Sequence, residues 1–525
     1  MQALPTPAEM SLWDRASIEQ GIPEFTLMEN ASREALHVLQ EEIGELAGKR
    51  TLLFMGGGNN GGDAACLARH LLDNGSEVLV LHTRPLGSYK GTARRHLRLA
   101  RACGVNFAPV EIWPQRFAGW RQTTNSGTGP EPDIVVDGLL GTGFKGSLRE
   151  KEFHLVETIN ALAAHAFVLA IDIPSGLSGY NGKPQPIAVR ASATVTFEAA
   201  KPGLILPEAA PYTGKLHIRR IGMPRMVREN HPASFQLIDR KLGDLLPALS
   251  PCMHKGTAGS VLILGGSSGL TGAPHLAARA ALRTGAGLVT VAAPSALCRD
   301  IKANCPDIMT RQLGPADCTE WSPDLLGELL PMLERCHAVV LGPGIGRAPQ
   351  TMAFVTAFLS ARRPAAVIDA DALHALVSPQ ALTSLKANDI LTPHPGEAAF
   401  VLGTDPATIQ SDRFASLDRL RELAPAVWIL KGSGTLVGTK GHPVAIAPFA
   451  VPNLAVGGSG DVLSGCIGAL LAGNRTADAL SLACLGVLLH AEAGKLLAQR
   501  FPRRGNTASD MAETLPAALA ALSAC

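Results

Sequence analysis

One arrangement occurs twice in this chain and constrains its fold more than any other feature: an apolar strand-like run, a glycine-rich turn, a helical run and a second strand. Arg50-Thr-Leu-Leu-Phe-Met55 leads into Gly56-Gly-Gly-Asn-Asn-Gly-Gly-Asp63, then the helix-forming Ala64 to Leu72 and the strand-like Glu77-Val-Leu-Val-Leu81. Gly259-Ser-Val-Leu-Ile-Leu264 leads into Gly265-Gly-Ser-Ser-Gly-Leu-Thr-Gly-Ala273, then His275 to Thr284 and Leu288-Val-Thr-Val-Ala292. Each is a βαβ unit, which requires a parallel sheet. Further short apolar runs bounded by Gly, Pro or Asp read as buried parallel strands: 133–137, 167–171, 193–197 and 215–218 in the first half. A helical stretch, Ile18 to Leu39, precedes the first sheet. Between 223 and 255 the pattern lapses amid Pro224, Pro232, Pro247 and Pro251. The expectation is α/β with two αβα domains, residues 1–225 and 251–525, joined by a linker region 226–250.

A length of 525 residues accommodates two to four domains of about 100–200 residues each. The hydrophobic share of 46% against 18% charged is globular rather than disordered. Lys and Arg total 47 against 45 Asp and Glu, so the basic excess of a nucleic-acid binder is missing. The ten cysteines are dispersed, with no Cys-x-x-Cys and no zinc-ligand spacing to histidine, which points to reduced thiols and a cytoplasmic protein. No signal pattern opens the chain, and uncharged stretches such as Gly256 to Ala278 are interrupted by Gly, Ser and Pro. No nucleic-acid partner and no membrane are therefore expected; small-molecule substrates and a homo-oligomer are separate expectations that composition does not supply.

In open α/β sheets ligands bind beyond the carboxyl ends of strands, and the unusual residues cluster there. Gly56, Gly58 and Gly61 spell a dinucleotide fingerprint, but no acidic residue follows Leu81, and Asn59, Asn60 and Asp63 make the turn polar. Such a turn can coordinate a cation through amide oxygens while its N–H groups face a phosphate. Asp137 and Asp172 end strands on the same edge, so at least one of Asp63, Asp137 and Asp172 is available for proton transfer; each alone could equally cap its turn. In the second half Gly457-Gly-Ser-Gly-Asp461 opens a helix, giving an anion hole with an aspartate able to take a proton from an attacking hydroxyl. Lys431-Gly-Ser-Gly-Thr435 offers a cation, hydroxyls and glycine amides to a nucleotide. Glu397, in Thr392-Pro-His-Pro-Gly-Glu397, can organise Mg²⁺ or sit in a solvated turn. Asp369 and Asp371 suit a sugar hydroxyl or a helix cap.

These residues carry a family resemblance over nearly the whole chain. Leu27-Met-Glu-Asn-Ala31, Gly58 to Asp63, Asp137 with Gly141-Thr-Gly143, and Asp172-Ile-Pro-Ser-Gly176 resemble NAD(P)H-hydrate epimerase. Gly265 to Pro274, Gly342-Pro-Gly-Ile-Gly346, Asp369-Ala-Asp371, Thr392 to Glu397, Lys431 to Thr435 and Gly457 to Gly465 resemble the ADP-dependent NAD(P)H-hydrate dehydratase. The order resembles the bacterial bifunctional NAD(P)H-hydrate repair enzymes. The resemblance implies an N-terminal Rossmann-like αβα sandwich that epimerises hydrated NADH and NADPH (NADHX and NADPHX). It also implies a C-terminal ribokinase-like αβα domain that dehydrates the S form with ADP.

By position, it implies K⁺ ligation by Asn60, Asp137 and Ser175. Hydrate binding would fall to Asn59, Asn60, Gly61, Gly62, Asp63, Gly141, Thr142, Gly143, Phe144, Lys145, Gly146, Ser147 and Asp172, with Asp172 the acid/base. In the second half Ala273, Gly344, His394 and Asp461 would bind hydrate, Asp461 being the base. Lys431, Gly432, Ser433, Gly434, Thr435 and Gly460 would bind ADP, with Glu397 near Mg²⁺. Two departures stand out: Ala64 replaces a glycine of the family, and Val451-Pro-Asn-Leu-Ala-Val456 replaces its Gly-Asn-Pro-Gly-Met-Ala-Thr run. The competing reading is an ATP-dependent small-molecule kinase with a non-catalytic N-terminal binding module; dinucleotide-dependent oxidoreduction ranks behind it.

Overall fold

Both glycine-rich turns sit where the order of a parallel sheet reverses. The computed structural model describes residues 1–112, 132–474 and 476–523. It divides into two compact units, Ala3–Phe235 and Gln236–Cys525, the latter joined by Met1–Gln2. The N-terminal sheet contains β1 (Arg50–Met55), β2 (Glu77–His82), β3 (Asn106–Pro109), β4 (Ile134–Gly138), β5 (Phe167–Ile171), β6 (Ala193–Phe197) and β7 (Lys215–Arg219). They lie in the order β3-β2-β1-β4-β5-β6-β7, all parallel. Alternate residues of β1 face opposite layers: Leu53 and Met55 join one core with Trp13, Leu39 and Leu67, while Leu52 and Phe54 join another with Val156 and Ile159. That alternation makes the αβα sandwich. The order reverses between β1 and β4, so the segments following them flank one crevice.

In the C-terminal unit the strands are β8 (Ser260–Leu264), β9 (Leu288–Pro294), β10 (Met309–Leu313), β11 (Ala338–Leu341), β12 (Ala365–Ile368), β13 (Ile390–Leu391), β14 (Val427–Leu430), β15 (Leu436–Gly438) and β16 (Val444–Ile446). They run in the order β16-β15-β14-β13-β12-β11-β8-β9-β10, and β14 pairs antiparallel with β15, and β15 with β16. Here the reversal falls between β8 and β11. Gly266 N donates to Pro343 O at 2.9 Å, fastening the two post-strand loops to each other.

Two expectations need correction. The helical stretch 18–39 is two helices, Pro7–Glu19 and Glu24–Ile43, because Gly21 at φ 94° and Pro23 break it. The helix after β1 begins at Asn59, not Ala64, so Asn59 to Asp63 are its first turn and only Gly56 to Gly58 form the turn proper.

The division between the two units, at Phe235 and Gln236, falls within residues 226–250. Trp13 Nε1 donates to His231 O at 2.8 Å on one side of the division, and on the other Ile238 N donates to Ile446 O at 2.9 Å and Asn474 Nδ2 to Leu245 O at 2.8 Å.

Finally, Ala479–Arg500 is, among the described residues, the one helix long and apolar enough to cross a membrane by length and composition. Most of it is buried inside the C-terminal unit, as a core helix is. The nine described cysteines are unpaired, and Cys525 lies outside the described residues.

Candidate active sites

In the N-terminal unit, a cavity of about 600 Å³ opens at the β1/β4 reversal. It is lined by Asn59, Asn60, Asp63, Gly141 to Lys145, Ser147, Asp172 and two groups the sequence reading passed over, Asp14 and Lys201. Gly61, Gly62, Gly146, Asp137 and Ser175 do not line it. Gly61 and Gly62 instead let the helix approach its neighbours: a Cβ on Gly61 would stand 2.0 Å from Gly56 O, and one on Gly62 2.7 Å from Met28 Sδ. Backbone cannot yield as a side chain can. Gly61→Ala is therefore expected to lower the melting temperature of the N-terminal unit, by about 1–3 kcal/mol of overpacking, in a calorimetric scan. Ala64 is helical, completely buried and packed against Gly138, which accommodates its methyl group.

Asp137 is fully buried and accepts from Ser175 N (2.7 Å), Ser175 Oγ (2.6 Å) and Leu139 N (3.2 Å). Leu140 N donates to Ser175 Oγ at 2.9 Å, and Asn60 Nδ2 donates to Leu140 O at 2.9 Å. The three residues expected to bind K⁺ thus converge on one turn. Burial pushes the Asp137 carboxyl up to about 6, offset only by these hydrogen bonds. A buried carboxylate among oxygen donors, without a cationic side chain beside it among the described residues, fits a hard monovalent cation.

Asp172 adopts φ 65°, which turns its side chain back over the sheet edge. Its Oδ1 accepts from Lys201 Nζ at 2.6 Å and Thr196 Oγ1 at 3.2 Å, and its Oδ2 from Thr142 N at 3.3 Å. Lys201 is only 1% exposed. Burial, with Asp172, Asp14 and Glu24 adding like charge, pushes the Asp63 carboxyl well above its ordinary range. Asp14, also buried but eased by Lys201, rises to about 6.

A second cluster came as a surprise. Cys66 and His70, one helical turn apart, meet Glu29 closely enough to suggest a metal. Arg69 Nη2 already occupies that centre, 2.6 and 2.7 Å from the Glu29 oxygens and 3.3 Å from His70 Nε2. The cluster is an ion-pair network.

In the C-terminal unit the helix Ser459–Gly473 starts from Gly458 in the left-handed conformation at φ 86°, so its first N–H groups are free of side-chain caps. Asp461 stands in that first turn. Burial first, then the neighbouring charge of Asp369, pushes its carboxyl up to about 7.

Lys431, from the end of β14, points its ammonium between carboxylates: 2.9 Å from Asp369 Oδ1 and 3.7 Å from Glu397 Oε2. Burial opposes its charge, but Asp369, Glu397 and Asp461 outweigh that and hold the ammonium above its ordinary value. A Cβ on Gly460 would come within 3.3 Å of Lys431 Nζ, so glycine there leaves the approach open.

Gly432 to Thr435 form the loop beyond. Arg413 was not foreseen in the sequence, because a lone arginine in a helix gives no signal; it donates to Ser433 O, and to Leu430 O at 3.1 Å. Thr435 Oγ1 donates to Gly432 O at 2.8 Å.

His394 caps its helix, its Nδ1 accepting from Gly396 N at 2.9 Å, while His394 N donates to Glu397 Oε2 at 2.7 Å. Burial and then Lys431 lower the His394 imidazole, so it sits neutral; burial raises Glu397. Glu397 Oε2 is thus engaged by the cap and lies near Lys431, while Oε1 stands 3.4 Å from His394 Nε2.

Ala273 and Gly344 lie together: a Cβ on Gly344 would be 3.1 Å from Ala273 Cβ. Asp371 is drawn to the same loop by Gly346 N at 3.1 Å and Arg347 Nε at 2.6 Å. The departing segment Val451 to Val456 is anchored by a reciprocal amide pair, Asn453 Nδ2 to Asn506 Oδ1 and Asn506 Nδ2 to Asn453 O, each 2.9 Å.

Comparison with known proteins decides between the open readings. Residues 24–203 match the family described as YjeF-related protein N-terminus, and residues 261–517 the family described as NAD(P)H-hydrate dehydratase. A bifunctional NAD(P)H-hydrate repair enzyme of Moorella thermoacetica is 38% identical over 525 residues, 98% of this chain and 96% of its own. The chain belongs to the family of bifunctional NAD(P)H-hydrate repair enzymes. Its Escherichia coli relative is 34% identical over 94% of this chain and 89% of its own. A solved structure, the Bacillus subtilis ADP/ATP-dependent NAD(P)H-hydrate dehydratase co-crystallised with ATP and Mg²⁺, is similar at a TM-score of 0.47 and 24% identity, covering 55% of this chain and 99% of its own.

Proposed function

We propose that the N-terminal unit interconverts the R and S hydrates of NADH and NADPH, and that the C-terminal unit dehydrates the S form at the expense of ADP, releasing AMP and phosphate. The observation that carries the second half is Asp461: a carboxyl raised to about 7 at the head of a glycine-opened helix, near the half-buried Lys431.

Hydroxide is a poor leaving group. Asp461 takes the proton of the C6 hydroxyl as its oxygen attacks the terminal phosphorus of ADP and AMP departs. The C6 phosphate ester then leaves with its bonding electrons, a proton is lost from C5, and the ring double bond is restored. The first N–H groups of helix Ser459–Gly473 and the Lys431 ammonium stabilise the transferring phosphoryl charge. The Gly432 to Thr435 amides and hydroxyls, braced by Arg413, hold the nucleotide, while Ala273, Gly344 and the neutral His394 hold the hydrate. Glu397 would help hold Mg²⁺, which would supply neutralising charge to the nucleotide phosphates.

In the N-terminal unit Asn60, Asp137 and Ser175 would hold K⁺, which would supply positive charge beside the buried Asp137 carboxylate. Asn59 to Asp63 and Gly141 to Ser147 receive the hydrate, and Asp172 takes part in moving its proton.

A base must be ionised to act. The dehydration rate is thus expected to fall as pH drops through about 7, the Asp461 value, approaching about tenfold per unit on the acid side. A rate independent of pH between 5 and 8 would count against Asp461 as base. Supplying purified S-hydrate with ADP or with ATP and measuring free phosphate tests the reaction class. A stable phosphorylated product in place of restored NAD(P)H would point to the kinase reading.

A further inference from the structure

The N-terminal cavity sets two carboxyl groups, Asp63 and Asp172, in opposite surroundings. Lys201 Nζ has three N–H bonds and three acceptors: Asp172 Oδ1 at 2.6 Å, Thr196 Oγ1 at 2.9 Å and Phe197 O at 3.3 Å. It has none left for Asp63. The charged groups facing Asp63 are Asp14 from helix Pro7–Glu19, Glu24 from helix Glu24–Ile43, and Asp172 after β5. All are acidic, and the nearest ammonium is spent on Asp172. Burial and these acidic neighbours raise the Asp63 carboxyl well above its ordinary range and favour its protonated form. One cavity thus holds a carboxyl ringed by acidic groups and another bound to a lysine, the contrast of surroundings that suits an acid and a base.

Epimerisation at a carbon bearing both nitrogen and hydroxyl is speeded by an acid for the departing hydroxyl and an acceptor for the incoming water. We propose that Asp63 is the proton donor to the departing C6 hydroxyl and that Lys201 is a positioning residue that holds Asp172 as the acceptor for the incoming water. This rests on the epimerase reading of the N-terminal unit.

Asp63 gives its proton to the hydroxyl oxygen, the C6–O bond breaks, and water leaves as the N1 lone pair forms the C6=N1 iminium. Water adds to the opposite ring face through its oxygen lone pair, the C6=N1 electrons return to N1, and the added water passes a proton to Asp172. Exchange with solvent returns Asp172 to carboxylate and Asp63 to acid. Each inversion replaces the C6 oxygen with one from solvent.

The test follows purified R-hydrate with the full chain and K⁺ in oxygen-18 water, separating epimers by chromatography and weighing them by mass spectrometry. One heavy oxygen per inversion is expected; inversion without incorporation overturns the route. Asp63→Asn is expected to lower kcat by about a hundredfold or more with little change in KM. Lys201→Met is expected to lower kcat likewise, and Lys201→Arg to recover part of it. Circular dichroism and melting temperature establish that each variant is folded. Asp63→Asn at the wild-type rate, Lys201→Met raising KM alone, or Lys201→Arg no better than Lys201→Met overturns the assignment. A wild-type chain that epimerises neither hydrate removes the epimerase reading itself, an outcome distinct from these.

Discussion

Asp461→Asn is expected to slow dehydration about a thousandfold while epimerisation continues at the wild-type rate. The amide is nearly the same size and keeps the first turn of helix Ser459–Gly473 intact, but it cannot accept a proton. The substitution also removes a negative charge from a cluster that already contains Asp369, Asp371 and Glu397 around Lys431. Nucleotide binding is therefore expected to persist, so that kcat rather than the KM for ADP carries the loss. Steady-state release of phosphate from S-hydrate and ADP gives both constants. A variant with unchanged kcat and weakened ADP binding would make Asp461 a nucleotide ligand.

Asp172→Ala has the second large effect, and it divides between stability and chemistry. The Lys201 ammonium, 1% exposed, loses the only carboxylate it touches among the described residues and remains buried with Thr196 Oγ1 and Phe197 O alone. Breaking one side of such a pair costs about 3–5 kcal/mol. The unfolding transition of the N-terminal unit should move to markedly lower temperature in a calorimetric scan, while that of the C-terminal unit holds. Asp172→Ala combined with Lys201→Met is expected to regain most of the stability, because the stranded charge is gone, yet to stay inactive in epimerisation. Recovery of epimerisation in the double variant would restrict Asp172 to a structural role.

The sequence carries its own sheet edge plainly. Strands such as Arg50–Met55 and Ala338–Leu341 are short apolar runs ended by glycine, and the groups that follow them are the ones that gather at the two reversals. Asp137, Ser175 and Asn60 converge as their positions suggested, and so do Lys431 and Asp461.

What could not be read there depends on tertiary burial. A lysine four residues past a strand ordinarily lies on the surface; Lys201 is buried because Asp172 and Thr196 compensate it, and nothing local announces that. Asp14 sits on helix Pro7–Glu19, and only the tertiary fold brings it to the cavity wall. Glu397 also caps its own helix, since a His-Pro-Gly-Glu sequence is a capping box as well. The prolines between 224 and 251 mark the stretch where the two units divide, but composition alone does not reveal that both flanks are packed.

The most direct measurement of the central claim mixes both hydrate epimers with the protein, K⁺, Mg²⁺ and ADP and follows absorbance in the reduced-nicotinamide band. Full recovery of absorbance from the mixture is the predicted result, since the S form consumed in the C-terminal unit is replenished from R in the N-terminal unit faster than it converts unaided. Recovery that stalls when the initial S form is spent, at the rate of the uncatalysed epimerisation, would contradict it.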